Sequence, residues 1–410
     1  MQANEKEYVL ISSKFHPDTT SATGQYMTDI VTGLQKRGLN MTVYTRASQH
    51  PDDQSEQEEF DYHGATINRL SVPEVEETSM LRRGINWMVF IVTVTLVLLV
   101  SRPKRPREVL FVTYPSILPP FMYLICLIRG WEYTYIVHDF YPDAVAELGY
   151  IERDGSIHRL WSALNERLVT DAKNVVALGP TMRDRIVDSV AADIEEGTVV
   201  AIHHWADSDF IEPRAKENNW FSEEQNTVDA FTAVYAGNIG EFHDLETVVR
   251  AVAASEDENI QLLVIGEGDN KETMIELAED LGVRGRRVRF LPYQPWEDVP
   301  YSLTCGDVSV VAKNEGFEGV SVSSKIYSSL AAGQPILVVA QPHADEARTV
   351  EAVGGGFAVS PGDTDGVLAC LEEWKENPEL VARQGGNARE ALETRFSRET
   401  AIDQYYEVLR

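Results

Sequence analysis

The sequence predicts an α/β chain of two successive doubly wound domains. Apolar runs alternate with amphipathic helical stretches from residue 8 to about 139, and the same alternation restarts at residue 231. Between the two series the chain is at its most polar and least periodic, roughly Ala206 to Asp229, with Pro213 and the run KENNWFSEEQN, which reads as an interdomain linker. At 410 residues and 43% apolar content there is material for two cores, about 200 residues each. The expected organisation is a first domain over 1–206, a second over 207–392, and a C-terminal helix over 393–410 that packs back on the first domain.

In the first domain, YVLISS (8–13) reads as a buried parallel strand, 24–37 as a helix, and MTVYT (41–45), VLFVTY (109–114) and YTYIVHD (133–139) as further strands. The second domain runs through strand 231–237, helix 244–254, strand 261–266, helix 270–281 and strands 288–292 and 308–313. A polar loop then reaches a helix expected over Lys325 to Ala332, with Ser321, Ser323 and Ser324 as candidate caps. Gly333 would close that helix, and Pro335 would prevent its continuation before the apolar strand that ends at 339. Each half is similar to a Rossmann unit.

Sixteen consecutive residues, 85–100, carry no charge and are flanked by Arg82 and Arg83 before and Arg102, Lys104, Arg105 and Arg107 after. The run is slightly short for a membrane span. It also suits a buried core helix or a helix lying in a membrane interface, where basic flanks would meet anionic headgroups. Monotopic attachment to a membrane surface is the working expectation.

Acidic residues outnumber basic ones by 65 to 36, a net charge of −29 that argues against a general nucleic-acid binder, because phosphate would be repelled. Such acidity fits a salt-loving host, whose high ionic strength screens the charge. The three cysteines, Cys126, Cys305 and Cys370, are too dispersed for a disulfide framework or a zinc site. The opening MQANEKEYVLISS lacks a secretory pattern, so a cytoplasmic location is expected. The acidic run at 52–59 reads as a solvated loop.

Candidate chemistry gathers in 313–339, KNEGFEGVSVSSKIYSSLAAGQPILVV. Lys313 and Lys325 bracket a helix start rich in hydroxyls and open backbone N–H groups, a natural place for a pyrophosphate. Gly237, Asn238 and Gly240 would let backbone N–H groups approach phosphates, and Gly266, Glu267 and Gly268 close the next strand with a similar turn. His138 ends a strand at the crevice side of its sheet, with Asp139 next to it to fix its orientation. Asp207 and Asp209 have Asp-x-Asp spacing, but they fall in the linker and no metal site is assigned.

Taken in order, YVLISS with KFHPDTTSATGQYMTDIVTGLQKRG, then VLFVTYPSILPP and VHDFYPDAVAELG, then YAGNIGEFHDLETVV, VIGEGD and VSSKIYSSLAAGQPIL resemble the successive motifs of GT-B fold glycosyltransferases of family 4, the branch of surface-polysaccharide and N-glycan sugar transferases. The resemblance spans nearly the whole chain and implies two Rossmann-like domains facing across a cleft, with an acceptor domain first and a nucleotide-sugar donor domain second. It further implies transfer with retention from a nucleotide sugar to a polyprenyl- or dolichyl-linked acceptor, no cofactor or obligatory metal, and a peripheral place on the inner face of the cell membrane.

By the same resemblance, Thr23, Gly24 and Gln25 line the acceptor side; His138 with Asp139, from its place at a strand end facing the crevice, is expected nearest the reacting sugar. The donor is met by Gly237, Asn238, Gly240, Gly266, Glu267, Lys313, Ser321, Ser323, Ser324 and Lys325, with Glu315 or Glu318 on the sugar hydroxyls. Two departures stand out. The family's paired glutamates are replaced by Val320 and Ser328, and GNIGEFHDLE lacks the usual arginine and lysine. Two other readings stay open, a nucleotide-sugar epimerase with the same donor domain, against which the apolar run at 85–100 counts, and a non-catalytic partner subunit, which the replaced glutamates favour.

Overall fold

The computed structural model describes residues 6–15, 21–46, 59–72, 80–191 and 194–410. The chain forms two compact units, one comprising residues up to Ala146, Ile151–His203 and Glu399–Arg410, the other Glu147–Tyr150 with His204–Arg398.

The first unit is built on strands β1 (Glu7–Ile11), β2 (Asn40–Arg46), β3 (Glu59–Tyr62), β4 (Ala65–Leu70), β5 (Arg107–Val112), β6 (Glu132–Ile136), β7 (Asn174–Ala177) and β8 (Val199–Ala201). They form one sheet in the order β3-β4-β2-β1-β5-β6-β7-β8, parallel except for the β3–β4 pair. Continuous apolar runs such as Val9–Ile11 and Val109–Val112 are buried, as a sheet covered on both faces requires. The β3–β4 hairpin was not anticipated. It turns on His63 and Gly64, both at positive φ (53° and 91°), and Asp61 accepts the Gly64 N–H at 3.0 Å. The acidic run at 52–59 lies outside the described residues apart from Glu59, which opens β3.

The apolar run belongs to a helix longer than the sequence suggested, Met80–Val100, because helical geometry continues backwards through Arg83 and Arg82. Its 19 residues from Arg82 to Val100 are long and apolar enough to cross a membrane by length and composition. The core-helix reading needs correcting, since only one face is buried. Phe90, Ile91, Val94 and Leu98 pack inward against helix Leu118–Arg129 and β4, whereas Ile85, Met88, Val92, Leu96 and Val100 are exposed.

The C-terminal helix, Arg398–Leu409, starts five residues later than expected and joins the first unit from Glu399 on. Tyr8 Oη donates to Leu409 O at 2.8 Å, and Arg37 pairs with Asp403 at 2.6 Å and Glu399 at 3.0 Å. Gly33 makes room for Ile402, whose Cγ2 would lie 2.6 Å from a Cβ at that position.

The second unit carries β9 (Phe231–Ala236), β10 (Ile260–Ile265), β11 (Val288–Leu291), β12 (Val308–Ala312), β13 (Ile336–Val339) and β14 (Gly356–Val359), all parallel, in the order β11-β10-β9-β12-β13-β14. Part of the polar stretch taken for a linker is structured in this unit. Asn219 caps helix Trp220–Glu224, in which Phe221 is buried, and donates through Nδ2 to Tyr301 O at 2.8 Å. Its single apolar pair gave too little periodicity to be seen in the sequence.

Candidate functional site

The strand order of the second sheet reverses between β9 and β12, so the loops leaving their carboxyl ends diverge and open a crevice. Two of the segments singled out in the sequence leave the sheet there. Gly237 follows β9 at φ 133°, and a Cβ on it would lie 2.6 Å from Lys325 Cε, so this glycine is what admits the lysine. Lys325 opens helix Lys325–Ala332, which Gly333 closes at φ 65° as the sequence predicts. Its Nζ lies 3.2 Å from His243 Nε2 and 5.3 Å from the centre of the Tyr235 ring.

Although Lys325 as a residue is only half-buried, its amine end lies among these groups. Burial there pulls its pKa down to about 8, with Glu346 opposing the fall and Lys313 adding to it. His243 is held well below its ordinary value, by burial first and then by Lys325, and is neutral at pH 7. Its Nδ1 accepts the Gly240 N–H at 3.2 Å, and Tyr235 Oη donates to Asn238 O at 2.6 Å, which fixes the loop after β9.

Lys313 has a different position from Lys325. Its Nζ is 2.7 Å from Glu346 Oε1, with both side chains buried, and it also donates to Ser321 O. Glu346 in turn accepts the Ser323 N–H. The charge of Lys313 is therefore committed to folding the 313–325 loop, while Lys325 faces the glycine turn. None of Ser321, Ser323 and Ser324 caps the helix through its side chain, since Ser324 at the cap position has αR backbone angles and no cap hydrogen bond. That corrects the capping expectation. Asn314 ties this loop to the one after β9, its N–H donating to Phe242 O at 2.8 Å, and Phe242 meets Phe317 edge-on at 4.8 Å.

Gly266 and Gly268 sit at φ 146° and 155° for a reason the sequence did not reveal. A Cβ on Gly266 would come 1.9 Å from Gly237 O, and one on Gly268 2.3 Å from Ile239 O. The two glycine turns interlock backbone to backbone, with Ile239 N–H donating to Glu267 O at 2.8 Å. The Glu267 carboxylate pairs with Lys271 at 2.8 Å. Glu318 is buried and accepts the Gly316 N–H at 3.0 Å, whereas Glu315 is exposed. Val320 is fully buried in the core, and Ser328 Oγ donates back to Lys325 O at 3.0 Å.

In the first unit, Thr113 Oγ1, just beyond β5, accepts the backbone N–H groups of His138 at 3.0 Å and Asp139 at 3.1 Å. Burial pulls the His138 pKa down to about 4, so its imidazole is neutral at pH 7. Thr23, Gly24 and Gln25 form the first turn of helix Ala22–Lys36, which Ser21 Oγ caps by accepting the Gly24 N–H at 3.3 Å. Asp207 Oδ1 accepts the N–H groups of Asp209 and Phe210, both at 3.0 Å, so the Asp-x-Asp pair serves a turn. Among the described residues no group of three or more His, Cys, Asp or Glu is placed to hold a metal.

Sequence reasoning missed His243, Tyr235 and Glu346. For His243 a signal existed, its place six residues beyond the glycine that ends β9. Glu346, on helix Asp345–Val353, carries no local sign that it serves a loop more than twenty residues earlier.

Comparison with known proteins matches residues 21–203 to the glycosyl transferase 4-like domain and residues 216–391 to the glycosyl transferases group 1. The chain is 25% identical to the probable glycosyltransferase WbjE of Pseudomonas aeruginosa over 98% of its length and 97% of that protein's. It is 23% identical to the putative colanic acid biosynthesis glycosyl transferase WcaI of Escherichia coli K12, covering 97% and 98%. Among solved structures, Anabaena Alr3699/HepE in complex with UDP-glucose superposes with a TM-score of 0.71 at 13% identity, over 98% of this chain and 99% of that one.

Proposed function

Because the chain joins a glycosyl transferase 4-like domain to a group 1 domain, it belongs to the GT-B glycosyltransferases, and we propose that it moves a sugar from a nucleotide-sugar donor to a lipid-linked glycan acceptor, with retention, in surface-polysaccharide assembly. The observation that carries the donor half is the Lys325 amine, set against the glycine turn at the strand-order reversal of the second unit. A lysine there stabilises a departing diphosphate by charge-assisted hydrogen bonds, a role this reading gives to protein groups with no obligatory metal. The UDP-glucose bound by the HepE structure supports a nucleoside-diphosphate donor, and the colanic acid role named for WcaI supports a polysaccharide product. His138, neutral at pH 7, is assigned as the polar group of the acceptor unit, able to give or accept a hydrogen bond at a sugar hydroxyl.

The lipid half rests on the helix Met80–Val100. Its exposed stripe, with Leu124, Leu127 and Ile128 of helix Leu118–Arg129, makes an apolar face bordered by exposed Arg82, Arg83, Arg102, Lys104 and Arg105. Basic residues around an apolar face suit an anionic bilayer, and in a chain of net charge −29 their clustering is selective. Trp87 of the same helix packs edge-on against Tyr114, just beyond the carboxyl end of β5, at 5.8 Å, which puts the N-terminal part of the helix beside the loop edge of the first sheet. We read the protein as peripheral on the cytoplasmic face of the membrane. Leu96→Glu should cut binding to anionic vesicles about tenfold or more, the value of burying one leucine, and undiminished co-sedimentation would refute the docking face.

Purified protein given labelled nucleotide sugars and polyprenyl-diphosphate-linked sugars in vesicles tests the reaction. Label transferred to lipid supports the proposal. Interconversion of the free nucleotide sugar favours the epimerase, and failure to bind any nucleotide sugar favours a non-catalytic subunit.

A further inference from the structure

His243 and Lys325 form a pair whose hydrogen-bonding roles are fixed by a third group. His243 Nδ1 accepts the Gly240 N–H at 3.2 Å, so it carries a lone pair and no proton. A neutral imidazole has a single N–H, which then sits on Nε2, the atom 3.2 Å from Lys325 Nζ. An ammonium has no lone pair to offer. If Lys325 were charged, two N–H groups would face each other across that distance, so the contact is a hydrogen bond when Lys325 is a neutral amine accepting from His243.

The surroundings bring that state within reach at mildly alkaline pH. Tyr235 on β9 presents its ring at 5.3 Å, a modest pull toward the charged form. Lys313 at the end of β12 and Glu346 on helix Asp345–Val353 are paired with each other, so they act on Lys325 in opposite senses. Burial is the largest influence and favours the uncharged amine.

We propose that at alkaline pH His243 latches Lys325 as a neutral amine when no donor is bound, and that a nucleoside diphosphate entering this form binds together with one proton. The proton comes from water or buffer acid and adds to the Nζ lone pair. The Nε2–H···Nζ bond breaks, and the new ammonium turns its three N–H groups to the phosphate oxygens. This rests on the donor-site reading above and adds to it a reason for histidine after the first glycine turn, since histidine can donate to the idle lysine without bringing a second permanent charge.

The direction of the pH dependence follows from the two states. In the empty pocket the Lys325 pKa is about 8, and a bound diphosphate raises it. Affinity is then full below pH 8 and falls as pH rises, by about tenfold per unit while the empty form is neutral and the complex protonated. Calorimetric titration of the full chain with UDP, in buffers of different ionisation enthalpy, measures the proton directly. The expected uptake approaches one proton at pH 9, where the diphosphate of UDP is fully ionised, and is small at pH 7. UDP binding at pH 9 without proton uptake would overturn the latch and leave the donor site standing. Absence of binding by UDP, GDP and ADP at pH 7 would overturn both. Lys325→Arg, whose guanidinium keeps its charge, is expected to bind UDP with no uptake and a flat pH profile. Uptake persisting in that variant would place the proton elsewhere and refute the proposal.

Discussion

Lys325→Met weakens UDP binding about 100-fold at pH 7 and leaves the melting temperature unchanged or raised. Methionine keeps the apolar stem that passes Gly237, so packing survives while the cation is lost. A hydrogen bond to a charged group is worth about 1.5–3 kcal/mol, and the loss falls at the upper end because, among the described residues, no second uncommitted lysine is at hand. Lys313, the other candidate, is spent on Glu346 and the Ser321 carbonyl. Stability moves the other way. The folded pKa of Lys325 is lowered, so below pH 8 the fold carries a charge it disfavours, and methionine removes that cost. Calorimetry and thermal unfolding together check the expectation, and unchanged UDP affinity would remove Lys325 from the donor site.

Glu346→Ala destabilises the second unit by about 3–5 kcal/mol, the cost of leaving a buried lysine without its partner. Both side chains of the Lys313–Glu346 pair are buried, at 4% and 0% exposure, so water cannot replace the carboxylate. The change also strips the Ser323 N–H of its acceptor, which loosens the loop that carries Lys325. For a unit of this size the loss corresponds to roughly 10 °C in melting temperature. Replacing both partners, Lys313→Met with Glu346→Leu, should recover most of it, since an apolar pair avoids desolvating either charge. A single-variant loss below about 1 kcal/mol, followed by thermal melting, would mean that the pair does not hold the loop.

The fold was legible where burial imposes a pattern. Strands such as Val9–Ile11 and Leu262–Ile265 are buried on both faces and appear as unbroken apolar runs, and helix Lys325–Ala332 announced its end through Gly333 and Pro335. Elements that draw their stability from a few docked side chains were not legible. The helix at Trp220 depends on Phe221 and the Asn219 amide, and the β3–β4 hairpin hides behind an acidic run. The helix Met80–Val100 was found, but its apolar composition could not say which face is covered. Phe90 and Val94 turn inward and Val92 and Leu96 outward with the same chemistry.

For the site, the sequence by itself determined which loops matter, because glycines and lysines at the carboxyl ends of strands mark the crevice of a doubly wound sheet wherever the order reverses. It could not assign work to residues of the same type. Lys313 and Lys325 both flank the same polar loop, and Gly237 and Gly266 both end strands at positive φ. Only the tertiary structure decided that Lys313 folds the loop while Lys325 faces the turn, that Gly237 admits a side chain while Gly266 admits a backbone, and that a histidine stands where it can hold the idle amine. The reason is range. Strand and helix signals are written within a few residues, whereas the charge state and task of a buried lysine are set by Glu346 and His243, neighbours in space that are distant along the chain.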